Sequence, residues 1–195
     1  GDRLPVVSSA MPTPLAFSPP AADAGADASR PAVVYLPSCV SRGMGPARDD
    51  PERVPLPEKT TALLRKAGYR VLFPRGLEDL CCGQPFDSQG LADLAAAKAR
   101  AVEAALAEAS ENGKWPIVSD TGPCSYRLKQ ALPEALKPHD IIEFIHDRLL
   151  SGQLKLERRP GAVALHVTCS GRKMGLEGKL KAIGDACAET AIIPE

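Results

Sequence analysis

The sequence has few aromatic residues: one Trp, three Tyr and four Phe in 195 positions. Without large rings, the core has to come from Ala, Leu, Val and Ile at close element spacing, and 29 Ala supply much of it. Net charge is missing as well, because 24 basic and 24 acidic residues cancel. That balance removes any general attraction to nucleic acid or to an acidic membrane face. No run of eighteen apolar residues occurs, so no transmembrane helix is expected. The first residues do not follow the basic-then-apolar pattern of a secretory leader. Six Cys are too few to staple a chain of this length. A cytoplasmic, reducing setting is therefore the expectation, where cysteines serve as buried bystanders, metal ligands or redox groups.

Residues 1–31 read as a linker, because Pro5, Pro12, Pro14, Pro19, Pro20 and Pro31 interrupt any helix. From Ala32 the pattern becomes α/β. Ala32 to Leu36 is a short continuous apolar run, as in a strand buried on both faces. A helix over Pro57–Ala67 is expected, then a strand over Tyr69–Phe73. A second helix is expected over Ser88–Ala109, with Leu91, Leu94, Ala95, Val102, Ala105, Leu106 and Ala109 on one face. Trp115–Ser119 reads as a third strand, and Cys124 opens a short helix. Asp140 and Glu143 suit a capping box for a helix over Ile141–Leu150. A strand at Ala162–Val167, a helix at Leu176–Ala188 and a strand at Ala191–Ile193 complete the reading. Alternating strands and helices predict parallel pairing in βαβ units.

Two segments 130 positions apart are alike. One runs from Ala32-Val33 through Ser38-Cys39 to Arg42, Met44 and Gly45; the other runs from Ala162-Val163 through Thr168-Cys169 to Arg172, Met174 and Gly175. Both are followed by a helix and a short strand ending in Pro, which marks a duplicated supersecondary unit. Residues 32–152 are expected to form a first unit and 153–195 the start of a second, pseudo-repeated one. A counterpart of Cys81-Cys82-Gly83 would fall just beyond Glu195, so the chain is expected to be a fragment.

Within the first unit, 41 residues separate Cys39 from Cys81, and 41 separate Cys82 from Cys124. Each position follows an expected strand. In a parallel sheet those loops all emerge at the carboxyl edge, where such sheets build their sites. Four thiols delivered to one place make metal or redox chemistry, and soft thiolates select zinc or iron–sulfur clusters. Adjacent cysteines suit a multi-metal cluster better than one small ion, since both sulfurs of a vicinal pair reach a single ion with difficulty. Gly83 is expected to allow a tight turn that leaves room for a bulky ligand. Thiol redox stays open as an alternative, with Cys81 and Cys82 pairing reversibly and Cys39 or Cys124 resolving the bond. A zinc-binding structural module without catalysis of its own also stays open.

The phrases Pro37-Ser38-Cys39, Leu80-Cys81-Cys82-Gly83-Gln84-Pro85-Phe86, Asp120-Thr121-Gly122-Pro123-Cys124 and His166-Val167-Thr168-Cys169-Ser170-Gly171-Arg172-Lys173-Met174-Gly175 resemble the cysteine-rich CCG domain. That domain occurs in heterodisulfide reductase, in the iron–sulfur component of glycolate oxidase, and in the C-terminal part of FAD-dependent D-lactate dehydrogenases. These phrases look most like the last group. The resemblance covers residues 32–195. It implies an iron–sulfur (4Fe-4S type) electron-transfer module of a flavin-dependent 2-hydroxy-acid oxidoreductase. FAD would belong to the parent protein only, and upstream FAD and ferredoxin-like domains would be the partners. A quinone or cytochrome would accept the electrons, with the parent held peripherally at the inner face of the membrane. By position, Cys39, Cys81, Cys82 and Cys124 match the first motif and Cys169 the opening of the second. One departure stands out: the family motif ends in Cys-x-x-Cys, and here Arg127 follows Cys124 by three. A four-thiolate cluster or a zinc site therefore fits better than a five-thiolate one.

Among the remaining candidates, Cys187 reads as buried in a helix and His166 as packed within a strand. His139 and His146 read as surface residues. Arg42, Arg172 and Lys173 follow site cysteines and either offset thiolate charge or are solvated. No Ser-His-Asp set or carboxylate pair suggests catalysis by this chain alone.

Overall fold

The computed structural model describes residues 8–19, 29–150, 152, 154 and 156–194. The first elements in chain order are β1 (Pro12–Pro14), β2 (Ala32–Leu36), α1 (Cys39–Gly43), β3 (Met44–Ala47), α2 (Leu56–Lys66) and β4 (Arg70–Leu72). Next come α3 (Gln84–Asp87), α4 (Ala92–Ala109), β5 (Ile117–Ser119), α5 (Gly122–Ala131), β6 (His139–Asp140) and α6 (Ile141–Phe144). A π turn over Ile145–Leu149 extends α6, and β7 (Arg159–Ala164), α7 (Cys169–Lys173), α8 (Glu177–Cys187) and β8 (Ala188–Ile192) follow.

The α/β class read from the sequence is the class observed. A four-stranded, all-parallel sheet has the order β4-β2-β5-β6. From β2 the chain crosses to β4 on one side, then returns to β5 on the other. The topological switch point therefore lies between β2 and β5, which pair Val34 with Ile117 and Leu36 with Ser119. Because successive side chains alternate across a strand, β2 feeds both faces. Val34 and Leu36 pack with Val102 and Leu106 of α4 and Leu128 of α5. Val33 and Tyr35 pack with Leu64 of α2, Val71, and Phe144 at the end of α6. Every residue of β2 is buried, as its unbroken apolar run requires.

Differences from the sequence reading have local causes. The helix expected over Ser88–Ala109 begins four residues later, as α4 at Ala92, because Gly90 takes a left-handed φ of 77° between the short α3 and α4. Leu91 and Leu94 consequently leave the buried stripe and lie exposed, while Ala95, Ala99, Val102 and Leu106 face the core. The strand expected at Ala162–Val167 is shifted toward its start and ends at Ala164, so His166 is exposed. Helix α8 runs into β8 with no loop, which leaves Cys187 half-buried at its end. His139 and His146 are half-buried; the His139 ring lies 6.0 Å from that of Phe144.

Within the stretch read as a linker, residues 1–7 and 20–28 lie outside the described residues. Inside it, β1 pairs antiparallel with β3, and Phe17 lies 6.2 Å from the Phe73 ring. Strands β7 and β8 form a separate parallel pair. Among the described residues, no helix is long and apolar enough to cross a membrane.

Candidate functional site

Three chain crossings end at the carboxyl edge beside the switch point. β2 leads through Pro37 and Ser38 into α1, whose first residue is Cys39. The Ser38 side chain caps that helix by accepting from the Ser41 N–H at 3.0 Å. β5 leads through Asp120 and Thr121 into α5, with Gly122 and Pro123 ahead of Cys124. From β4 the chain runs through a 3₁₀ turn at Leu77–Asp79 to Leu80, then Cys81, Cys82 and Gly83.

Asp120 ties the first two crossings together. Its carboxylate accepts from the Tyr35 hydroxyl at 2.7 Å, from the Ser38 N–H at 3.0 Å and from the Thr121 hydroxyl at 3.0 Å. The Thr121 hydroxyl also bonds Ser38 Oγ at 2.8 Å. Burial, with the neighbouring carboxylate, holds the Tyr35 phenol well above its usual range, so it stays a donor. Sequence reading assigned neither Tyr35 nor Asp120 a role. The available signal was a Tyr inside a fully buried strand, which needs a polar partner nearby.

Cys39, Cys81, Cys82 and Cys124 line one cavity with Leu36, Leu80, Val102, Ser119 and Leu128. Cys82 and Cys124 are buried, Cys81 is half-buried and Cys39 is exposed at the rim. The Sγ atoms of Cys82 and Cys124 are 3.1 Å apart and share a hydrogen bond. That bond lowers the Cys82 thiol to about 6 and, with burial, pushes Cys124 up. Burial also raises Cys81, although its sulfur accepts from the Gly83 N–H at 3.5 Å. Cys82 and Cys124 are thus in direct contact, while Cys81 also bears on Cys82 and Cys39 on Cys81.

Gly83 has φ 85°, and a Cβ there would stand 2.6 Å from the Ala95 carbonyl oxygen. The space beside this glycine is taken by the first turn of α4 and is not kept open for a ligand. The tight turn was legible in the sequence; the reason for it was not.

The donor set suits a soft metal in kind, being four thiols on one cavity. The cavity itself is about 10 Å³, the lower limit for a single water. Among the described residues, no three Cys, His, Asp or Glu side chains are gathered as metal ligands. The thiols thus share a wall but stand closed on one another, and a multi-metal cluster requires them to part. Three buried side-chain polar atoms among the described residues lack a hydrogen-bond partner: Arg42 Nε, Ser119 Oγ and Arg127 Nε. Ser119 lines the cavity, Arg42 follows Cys39 by three, and Arg127 follows Cys124 by three. Buried groups of this sort call for a partner that the chain does not supply. Arg127 reaches Asp87 of α3 at 3.4 Å through its Nη2.

Cys169 lies elsewhere. It is exposed on a groove with Pro123, Tyr126, Gln84 and Lys173. Helix α7 reaches the first unit at Gly122, where a Cβ would be 2.8 Å from Ser170 Oγ.

Residues 33–129 match the family model of the CCG cysteine-rich domain. The CCG segment starts in β2 and ends in α5, so it holds all four cavity cysteines and stops short of Cys169. A cysteine-rich domain of this kind is compatible with a metal or iron–sulfur cofactor. Comparison with curated proteins and with solved structures gives no match.

Proposed function

We propose that this chain is the iron–sulfur electron-transfer module of a flavin-dependent D-lactate or related 2-hydroxy-acid dehydrogenase. In this reading Cys39, Cys81, Cys82 and Cys124 hold the cluster, and Cys169 opens a second site. FAD belongs to the parent enzyme, whose upstream FAD and ferredoxin-like domains are the partners. A quinone or cytochrome takes the electrons, in the cytoplasm or at the inner face of the membrane. The observation that carries the reading is that three remote loops bring four thiols to one cavity at the switch point.

Bound there, an iron–sulfur cluster supplies one-electron redox capacity that organic side chains lack. The chain's own residues do the rest. Leu36, Leu80, Val102 and Leu128 exclude water from the sulfurs. Asp120 holds the starts of α1 and α5 at a fixed spacing through Ser38 and Thr121. Cys39 at the exposed rim keeps one edge open to an electron partner.

A second reading, thiol redox, is favoured by the 3.1 Å contact between Cys82 and Cys124. Metal and sulfide analysis with a visible spectrum of anaerobically purified protein separates the two. Iron, acid-labile sulfide and broad visible absorbance are expected, with Cys82→Ser and Cys124→Ser each removing most of the colour. A colourless protein with one titratable disulfide gives the second reading. Stoichiometric zinc without redox activity overturns both.

A further inference from the structure

Arg42 is a buried guanidinium with too few partners. The residue is only 9% exposed. Its Nη2 donates to the Leu80 carbonyl at 2.6 Å, and its Nε, also buried, donates to nothing. Among the described residues no ion pair links it to a carboxylate, whereas Arg127 has Asp87 and Arg172 has Glu177. A cation taken out of water without a counter-charge is unfavourable, and folded proteins rarely leave one so. The anion that answers it must come from its surroundings. One turn before it in α1 stands Cys39, and the carbonyl it grips belongs to the residue just before Cys81. Two of the three thiol-bearing segments thus meet at this one side chain.

We propose that Arg42 is the counter-charge of a thiolate-bound soft metal centre, a positioning residue that lets several thiolates share one small site. The inference rests on the proposed reading that these thiols bind metal. Four thiolates around a divalent ion leave a net negative charge, and a guanidinium beside them offsets it. Arg suits the task better than Lys. Its planar fork grips the Leu80 carbonyl with one nitrogen and leaves Nε–H unpartnered, while the charge persists at any pH.

The test uses the full chain, reduced and metal-free under anaerobic conditions, with Co²⁺ as the probe. Thiolate-to-cobalt charge-transfer absorbance reports affinity and the number of thiolates. Arg42→Met is expected to bind Co²⁺ about tenfold more weakly than the parent, in the range seen for outer-shell partners of metal sites. Arg42→Lys is expected to recover much of that loss although it cannot rebuild the grip on Leu80. The exposed counterpart Arg172→Met is expected to bind as the parent does. A merely structural role would lower the melting temperature of Arg42→Met and Arg42→Lys alike and leave Co²⁺ affinity unchanged, which overturns the proposal. Should Arg42→Met not fold, Arg42→Gln against Arg42→Lys decides it, since equal affinity in that pair also overturns it. If the parent protein binds no Co²⁺, the thiol-centre reading itself fails, a result distinct from parent and Arg42→Met binding equally.

Discussion

Ser38-Cys39 after β2 and Thr168-Cys169 before α7 begin in the same way. Ser38 has φ −64° and ψ 159°, and Thr168 has φ −65° and ψ 156°. Each caps its short helix by accepting from the N–H three residues on. Beyond that turn the two copies part. β2 is buried throughout and flanked by β4 and β5; β7 is mostly exposed and pairs with β8. Val40 is 49% exposed, whereas its counterpart Ser170 is buried against Gly122. Arg42 is buried at the cysteine loop, whereas Arg172 is exposed near Glu177. Cys39 shares a cavity with three other thiols, and Cys169 does not. One local pattern thus encodes one local geometry, and what that geometry is used for depends on its neighbours.

The widest gap should appear in the strands. Val33→Asp places a carboxylate where exposure is zero, and it is expected to cost at least about 4 kcal/mol and unfold the first unit. Val163→Asp, at the matching but only half-buried position of β7, is expected to cost about 1–2 kcal/mol. Guanidinium chloride midpoints read both, and equal costs would break the contrast.

The paired glycines give a smaller effect. Gly45 lacks a positive φ, but a Cβ there would be 2.7 Å from Thr13 Oγ1, so Gly45→Ala must displace the β1–β3 ribbon at about 1–2 kcal/mol. Gly175 has φ 69° with nothing within 4 Å, so Gly175→Ala costs about 1 kcal/mol from backbone strain alone. Asn tolerates the left-handed region, so Gly175→Asn is expected to recover stability and Gly45→Asn is not. Thermal melts of the four variants check this.

Acid should separate the units most gently. Glu143, in the capping box of α6, is held down from 4.5 to about 2, first by His139 and then by Lys129 at 2.6 Å. A depressed folded value means its stabilisation is present above pH 4.5 and fades as pH falls toward about 2. Glu143→Gln should remove that part of the slope at α6. Helix α8, which has no side-chain cap bond, should show no matching change on the same substitution. Amide exchange resolved by helix is the measurement.

Much of the fold was legible because periodicity and punctuation are local. The unbroken run Ala32–Leu36 marks a doubly buried strand, and Asp140 with Glu143 marks a helix start; both stand where the sequence put them. Gly90 was missed as a helix break because a lone glycine does not announce its φ. The ribbon of β1 with β3 was invisible because Pro-rich residues carry no pairing signal. At the site, even spacing after three strands pointed to four cysteines that line one cavity. It did not point to the contact between Cys82 and Cys124, or to Tyr35 and Asp120 behind them, since those depend on distances across the sheet.

By itself, the sequence determined the α/β alternation, the two like helix starts and the delivery of thiols to one sheet edge, because each follows from residues near one another in the chain. Only the tertiary structure decided which sulfurs touch, why Gly83 must lack a Cβ, and which of two like arginines is buried. Those outcomes rest on segments that are remote in the chain and meet across the sheet, where the packing of one element sets the surroundings of another.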